Sequence, residues 1–168
     1  MFSFFKDEFR PATSMDKLLI SKEAEHLRPL IKDLIREKFS DSLKIYIVDS
    51  GSCNGCELEL QMLFSPLYKL SSFGVEVTYE STQADVLFVT GLITENMYDE
   101  LKRVYENLKE PKWVILIGDC PVSSAPFENN FTLWNKGKEF FSTAFHISSC
   151  PPEPLRLLQA LHEFLKKI

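Results

Sequence analysis

The sequence predicts a three-layer α/β/α domain built on a parallel, flavodoxin-like sheet, together with an N-terminal helical extension. Short apolar segments rich in β-branched residues alternate along the chain with segments whose apolar residues recur at helical spacing. Strands that alternate with helices in this way form parallel sheets with right-handed crossovers. The chain has 168 residues, of which 45% are hydrophobic, and this suits one globular domain with a substantial core.

Residues 1–42 are predicted to be the N-terminal extension. Its first ten residues carry four phenylalanines among charged side chains: Phe2, Phe4, Phe5 and Phe9. For these, a docking contact with a partner or a membrane surface and ordinary packing both remain open. Farther along, five apolar residues at one-face helical spacing predict an amphipathic helix that packs against the core: Leu27, Leu30, Ile31, Leu34 and Ile35.

Residues 43–168 are predicted to form the α/β domain itself. Four segments have the composition of strands: Leu43 to Asp49, Val75 to Glu80, Asp85 to Gly91 and Trp113 to Asp119. The second alternates like a strand near an edge, whereas the other three carry the apolar runs of strands buried on both faces. A further short strand is expected at "FHISS". Helices are predicted between and after the strands, from Glu57 to Leu70, after a capping Thr94, and from Leu155 to Lys167.

Charge and hydropathy exclude several classes of function. The net charge of −5 disfavours a broad surface for nucleic acid, so no nucleic-acid partner is expected. The apolar runs are far shorter than the roughly 20 residues of a spanning helix. The N-terminus lacks the pattern of a signal peptide, which predicts an intracellular chain whose thiols stay reduced.

The four cysteines follow the ends of predicted strands. Cys53 and Cys56 come after the first strand, Cys120 follows "WVILIGD", and Cys150 follows "FHISS". Ligands in parallel α/β sheets bind beyond the carboxyl ends of the strands. We therefore expect three loops to bring four thiols to one edge of the sheet.

Three chemistries are compatible with this placement. A thioredoxin-like dithiol suits a C-x-x-C between a strand and a helix, but it leaves Cys120 and Cys150 without a role. A Cys₄ zinc site usually takes two close pairs of ligands, and only one is present here. One close pair and two single thiols favour a [4Fe–4S] cluster, as do Cys120-Pro121 and Cys150-Pro151, since Cys-Pro occurs in ferredoxin ligand runs.

Three segments, "GSCNGCELE", "IGDC" and "SCPPEPLRLL", resemble the small-subunit family of [NiFe] hydrogenases, which includes the B-type (20 kDa) subunit of respiratory complex I. The resemblance implies one [4Fe–4S] cluster held by Cys53, Cys56, Cys120 and Cys150. Complex I subunits have two adjacent cysteines in the first motif, so the separated pair favours the hydrogenase branch. No further cysteines follow Cys150, and the chain most resembles the short small subunits of membrane-bound, energy-converting hydrogenases.

This resemblance implies an electron-transfer subunit of a multisubunit oxidoreductase. It would pass electrons between a ferredoxin-like subunit and the large catalytic subunit, which holds the nickel, alongside membrane subunits on the cytoplasmic side of the cell membrane. No catalytic residue is expected in this chain. One departure is "CPVSSAPFENN" where the family has a glycine-rich stretch. The alternatives are a complex I-like or sulfur-reducing oxidoreductase subunit, a thiol–disulfide oxidoreductase and a zinc-stabilised interaction module.

Five residues near the cysteines are candidates for a supporting role. Gly51 and Gly55 are expected to permit tight turns, and Pro121 and Pro151 to stiffen the chain beside the cluster. Glu57 has two interpretations. It is either a solvated carboxylate in the first turn of a helix, or a charge beside the cluster that lowers its reduction potential.

Overall fold

The computed structural model describes residues 14–40, 42–123, 132–133, 140–141 and 144–168. These residues include five strands: β1 (Leu43–Asp49), β2 (Val75–Val77), β3 (Val86–Thr90), β4 (Trp113–Ile117) and β5 (Phe145–Ile147). They also include four α-helices: α1 (Ser14–Phe39), α2 (Gly55–Leu63), α3 (Glu95–Asn107) and α4 (Pro154–Lys167). Short 3₁₀ turns lie at Leu70–Phe73 and Ser81–Gln83.

The five strands form one sheet in the order β2-β1-β3-β4-β5, and every neighbouring pair is parallel. This is the flavodoxin-like strand order, which reverses direction between β1 and β3 and opens a ligand crevice beyond their carboxyl ends. The predicted α/β class with a parallel sheet is therefore confirmed.

Helices cover both faces of the sheet. Helices α1, α2 and α4 pack on one face, and α3 packs on the other. Strand β3 contributes to the core on both faces of the sheet. Val86 and Phe88 belong to the cluster of buried side chains that includes α1, α2 and α4, and Leu87 and Val89 belong to the cluster that includes α3. A strand buried on both faces needs apolar residues at successive positions, and this explains why the β3 segment does not alternate.

Two predicted elements are shorter in the structure than in the sequence pattern. Strand β2 ends at Val77 and does not continue to Glu80. Helix α2 ends at Leu63, where the backbone N–H groups of Phe64 and Ser65 donate to carbonyls three residues back. Pro66 explains the early end, because a proline disfavours helical conformation at the residue before it.

Helix α1 packs against the core, as predicted. Ala24, Ile31 and Ile35 are buried in the hydrophobic cluster that also contains the apolar side chains of α4. Leu30, which was predicted to lie on the same face, is 39% exposed and does not belong to it. The predicted docking residues Phe2, Phe4, Phe5 and Phe9 lie outside the described residues, and the division at residue 42 stays a prediction. In the part of the chain that is described, no helix is long and apolar enough to cross a membrane.

The packing of α1 can be tested by comparing two substitutions on different sides of the helix. Ile35→Ala removes a side chain that is 1% exposed, so it is expected to lower the free energy of unfolding by about 2–5 kcal/mol. Leu30→Ala on the exposed side should change it by less than about 1 kcal/mol. Urea denaturation measures both. Equal, small effects would show that α1 does not stabilise the domain.

Candidate metal centre

The loop after β1 presents Cys53 and Cys56. The Asp49 carboxylate accepts hydrogen bonds from the backbone N–H groups of Gly51, at 2.8 Å, and Ser52, at 2.7 Å. These bonds turn the chain sharply at the end of the strand, as Asp side chains commonly do. Cys53 follows in the exposed part of the loop, and Cys56 lies in the first turn of α2 with its side chain buried.

The loops after β1 and β3 are held together by buried polar groups. The backbone N–H and the hydroxyl of Ser50 both donate to the Thr90 carbonyl, at 3.0 and 2.7 Å. Thr94 is at the N-cap position of α3, as predicted, but its hydroxyl donates to the Ser50 carbonyl instead of capping the helix. Gly91 has φ +78°, and a Cβ there would collide with the backbone of Gly51. The two loops therefore touch backbone to backbone.

A hydrogen bond of Asp119 connects the loop after β4, which carries Cys120, with the loop after β5, which carries Cys150. The Asp119 carboxylate accepts from the backbone N–H of Ser149 at 3.0 Å. Asp119 directly precedes Cys120, and Ser149 directly precedes Cys150, so this contact fixes the two cysteines relative to each other. Nothing in the sequence pattern singles out Asp119, because the bond joins residues 30 positions apart.

Gly118 lies where the loop after β4 meets Cys56. Its backbone N–H donates to the Ile147 carbonyl at 2.9 Å, and its own carbonyl lies 3.0 Å from Nε2 of His146. The residue has φ +85°, and a Cβ there would lie 2.8 Å from the Cys56 sulfur. Glycine is therefore required both by the backbone conformation and by the sulfur atom beside it.

All four thiols are free and lie within electrostatic reach of one another. Burial raises the pKa of the Cys56 thiol to about 12, and the Glu57 carboxylate and the other three thiols act in the same direction. Burial also raises the pKa of Cys120, whose side chain is hydrogen-bonded to that of Cys150. Cys53 and Cys150 are exposed at the surface. The structure thus brings together the four cysteines that the sequence placed at strand ends.

The other predicted site residues lie in the same loops as the thiols. Gly51 has φ +132° and supports the predicted turn, whereas no positive φ is found at Gly55. A Cβ on Gly55 would lie 3.5 Å from the Cys53 sulfur and 3.8 Å from the Pro151 ring, so the loops after β1 and β5 are neighbours. Pro121, which follows Cys120 in the chain, is buried.

Glu57 lies in the first turn of α2, and both of its carboxylate oxygens are buried without a hydrogen-bond partner. The interpretation of Glu57 as a solvated carboxylate is therefore wrong. Together with burial, which is the larger cause, the negative charge of this carboxylate raises the pKa of the adjacent Cys56 thiol.

The donor set suits a thiolate-bound metal centre. Thiols of raised pKa stay protonated at neutral pH unless a nearby positive charge stabilises the thiolates, and metal binding to such thiols releases their protons. Among the described residues, no group of three or more His, Cys, Asp or Glu side chains is arranged to hold a single metal ion. A metal or cluster on these cysteines therefore stays a prediction.

Comparison with known proteins identifies the family. Residues 53–164 match the family model of the 20 kDa subunit of NADH ubiquinone oxidoreductase. The chain belongs to this family. The match covers the segment from the first predicted ligand to the last helix, and it confirms the resemblance seen in the cysteine motifs.

Relatives come from both the hydrogenase and the complex I branches. The chain is 36% identical to the probable membrane-bound hydrogenase subunit mbhJ of Pyrococcus furiosus, over 74% of each chain. It is 32% identical to the B-type subunit of the NADH-quinone oxidoreductase of Clostridium beijerinckii, over 82% of this chain and 85% of that one. It is also 32% identical to formate hydrogenlyase subunit 7 of Escherichia coli, over 76% of this chain but only 50% of that longer one.

A solved structure shares the fold. A chain of the membrane-bound sulfane sulfur reductase, an archaeal respiratory membrane complex, superposes with a TM-score of 0.66 at 22% identity. The match covers 82% of this chain and 74% of that one. The two chains therefore share the same fold.

The role of Gly118 can be tested against Gly55. Gly118→Ala places a methyl group against the Cys56 sulfur at a positive φ, so it is expected to lower the free energy of unfolding by about 1–3 kcal/mol. Gly55→Ala meets only ordinary van der Waals contacts and should change it by less than about 1 kcal/mol. Urea denaturation under reducing conditions measures both. If Gly118→Ala left the free energy of unfolding unchanged, the loop after β4 would not approach Cys56 this closely.

Proposed function

We propose that the chain is an electron-transfer subunit that holds one [4Fe–4S] cluster on Cys53, Cys56, Cys120 and Cys150. The observation that carries the proposal is the meeting of three loops, with all four thiols, at the carboxyl edge of the sheet. Each thiolate of a cubane binds a different iron, so the four sulfur atoms need not converge on one point as zinc ligands do.

The chain's own residues would bind the group and exclude water from part of it. A [4Fe–4S] cluster supplies one-electron storage, and the protein sets its position and environment. Cys56 presents its thiolate from the buried side, with Gly118 against its sulfur. Cys53 and Cys150 present theirs from the exposed side, where a partner subunit can approach. With a cluster bound, this asymmetry would leave the side of Cys53 and Cys150 accessible to a partner subunit that exchanges electrons with it.

The proposed partners are those of a membrane-bound, hydrogenase-type complex. They comprise a large catalytic subunit, a ferredoxin-like iron–sulfur subunit and membrane subunits, with this chain bound peripherally on the cytoplasmic side. The relationship to mbhJ, a subunit of a membrane-bound hydrogenase, supports this assignment. In this proposal the catalytic metal site lies in the large subunit, and the terminal reaction takes place there.

A complex I-like subunit is the second candidate. It is favoured by relatives described as B-type subunits of NADH-quinone oxidoreductases, which match at 31–36% identity, much as the hydrogenase relatives do. Both candidates place the same cluster on the same cysteines and differ only in the partner that exchanges electrons with it.

Glu57 stays the predicted tuning residue of the cluster. A negative charge near the cluster disfavours the addition of an electron, and at about 6 Å with an effective dielectric near 20 the Coulomb energy is on the order of 3 kcal/mol. Glu57→Gln keeps the shape of the side chain and is expected to raise the reduction potential of the isolated chain, measured by EPR redox titration in the absence of any partner subunit. An unchanged potential would show that another charge neutralises the carboxylate or that it lies too far from the cluster.

The ligand assignment predicts that single cysteine substitutions remove iron. Cys120→Ala and Cys150→Ala should each lower the iron content of anaerobically purified protein and reduce its broad visible absorption, because a cubane normally needs all four thiolates. Ser123→Ala, three residues from Cys120, is the matched control and should retain its iron. If both cysteine variants kept full iron, the assignment would be wrong. Stoichiometric zinc without iron would favour the zinc-binding alternative.

A further inference from the structure

The Glu57 carboxylate has no partner in the part of the chain that the structure describes. Both oxygen atoms are buried by the chain's own atoms, and no hydrogen bond reaches either of them. A buried carboxylate that receives neither water nor a donor is costly, so folded proteins rarely leave one in this state. A donor from outside the chain would remove this cost.

An apolar crevice lies directly beside this carboxylate. It has a volume of about 180 Å³ and is lined by Ile47, Glu57, Leu60, Gln61, Phe64 and Val77. It exists because β2 ends at Val77, which pairs with Ile45, so no residue of the edge strand covers Ile47 farther along β1. The crevice is open to the surface between α2 and the edge of the sheet.

The surface around the crevice is also apolar. On α2, Leu58 is 55% exposed and Met62 is 46% exposed, and the two lie one turn apart on the same side of the helix. Val77, at the mouth of the crevice, is 36% exposed. Large exposed apolar side chains around a pocket are typical of a surface that another protein covers.

We propose that a partner subunit docks on this surface and inserts an arginine side chain into the crevice. The aliphatic stem of arginine suits the apolar walls formed by Ile47, Phe64 and Val77. Its planar guanidinium can donate to both oxygens of a carboxylate at once, and both oxygens of Glu57 lack a donor. A lysine supplies a single point charge, and an anionic lipid headgroup would be repelled by the carboxylate.

The proposal concerns the assembly and does not depend on the nature of the metal centre. It requires only that the chain is a subunit of a larger complex, as its relatives are. Iron content measured in the same preparations therefore separates failure of this inference from failure of the cluster assignment.

Site-specific crosslinking in the intact complex identifies the occupant. A photoreactive benzoylphenylalanine at Gln61 is expected to crosslink to one partner-subunit segment that contains an arginine, as shown by mass spectrometry of the digested product. The same group at Glu163, an exposed position on α4, is the control and should not capture that segment. A crosslink to lipid, to a second copy of the chain or to a segment without arginine would overturn the proposal, as would no product in an assembled complex.

A double-mutant cycle then tests the pairing itself. Glu57→Gln, and replacement of the captured arginine by methionine, should each raise the dissociation constant of the chain from the complex by about tenfold or more, measured by native mass spectrometry on dilution. Combined, they should weaken it no further than the larger single effect. Glu163→Gln should leave it unchanged. Additive effects, or normal retention of both single variants, would show that Glu57 and the arginine do not pair.

Discussion

The close approach of loop backbones at the carboxyl edge of the sheet is the constraint on which the rest of the site depends. Gly91 lies against Gly51, and Gly118 lies against the sulfur of Cys56, so neither position has room for a side chain. Ser50 and Thr90 are both fully buried, and the hydrogen bond between them joins the loops after β1 and β3. The parallel sheet makes this possible, because it delivers the ends of β1, β3, β4 and β5 to the same edge.

The same constraint explains why the cysteines are so unevenly spaced in the sequence and yet close in space. Cys53 and Cys56 belong to one loop, while Cys120 and Cys150 come from two others that are joined by the bond between Asp119 and Ser149. A site built in this way is held by the fold and not by a local motif. Its geometry can therefore be altered by substitutions far from any cysteine, provided that they move a loop relative to its neighbours.

Much of the fold and the position of the site could be predicted from the sequence. Continuous apolar runs identify β3 and β4, since only strands covered on both faces need them, and the cysteines then fall at strand ends. The end of α2 at Leu63 and the short β2 were not predicted, because helix periodicity continues past the point where Pro66 stops the helix. The roles of Asp119 and Ser50 depend on residues 30 to 40 positions away. Burial of Glu57 likewise arises from tertiary packing, whereas its position in a first helical turn indicates exposure.

The central claim is that four thiolates on three loops hold one cubane. Mössbauer spectroscopy of ⁵⁷Fe-labelled chain, purified anaerobically without other iron–sulfur subunits, together with iron and acid-labile sulfide analysis, tests this claim most directly. The account predicts about four irons and four sulfides per chain, in the valence-delocalised pairs of a [4Fe–4S] cluster. Stoichiometric zinc, a [2Fe–2S] spectrum, or a metal-free chain with a disulfide between Cys53 and Cys56 would contradict it.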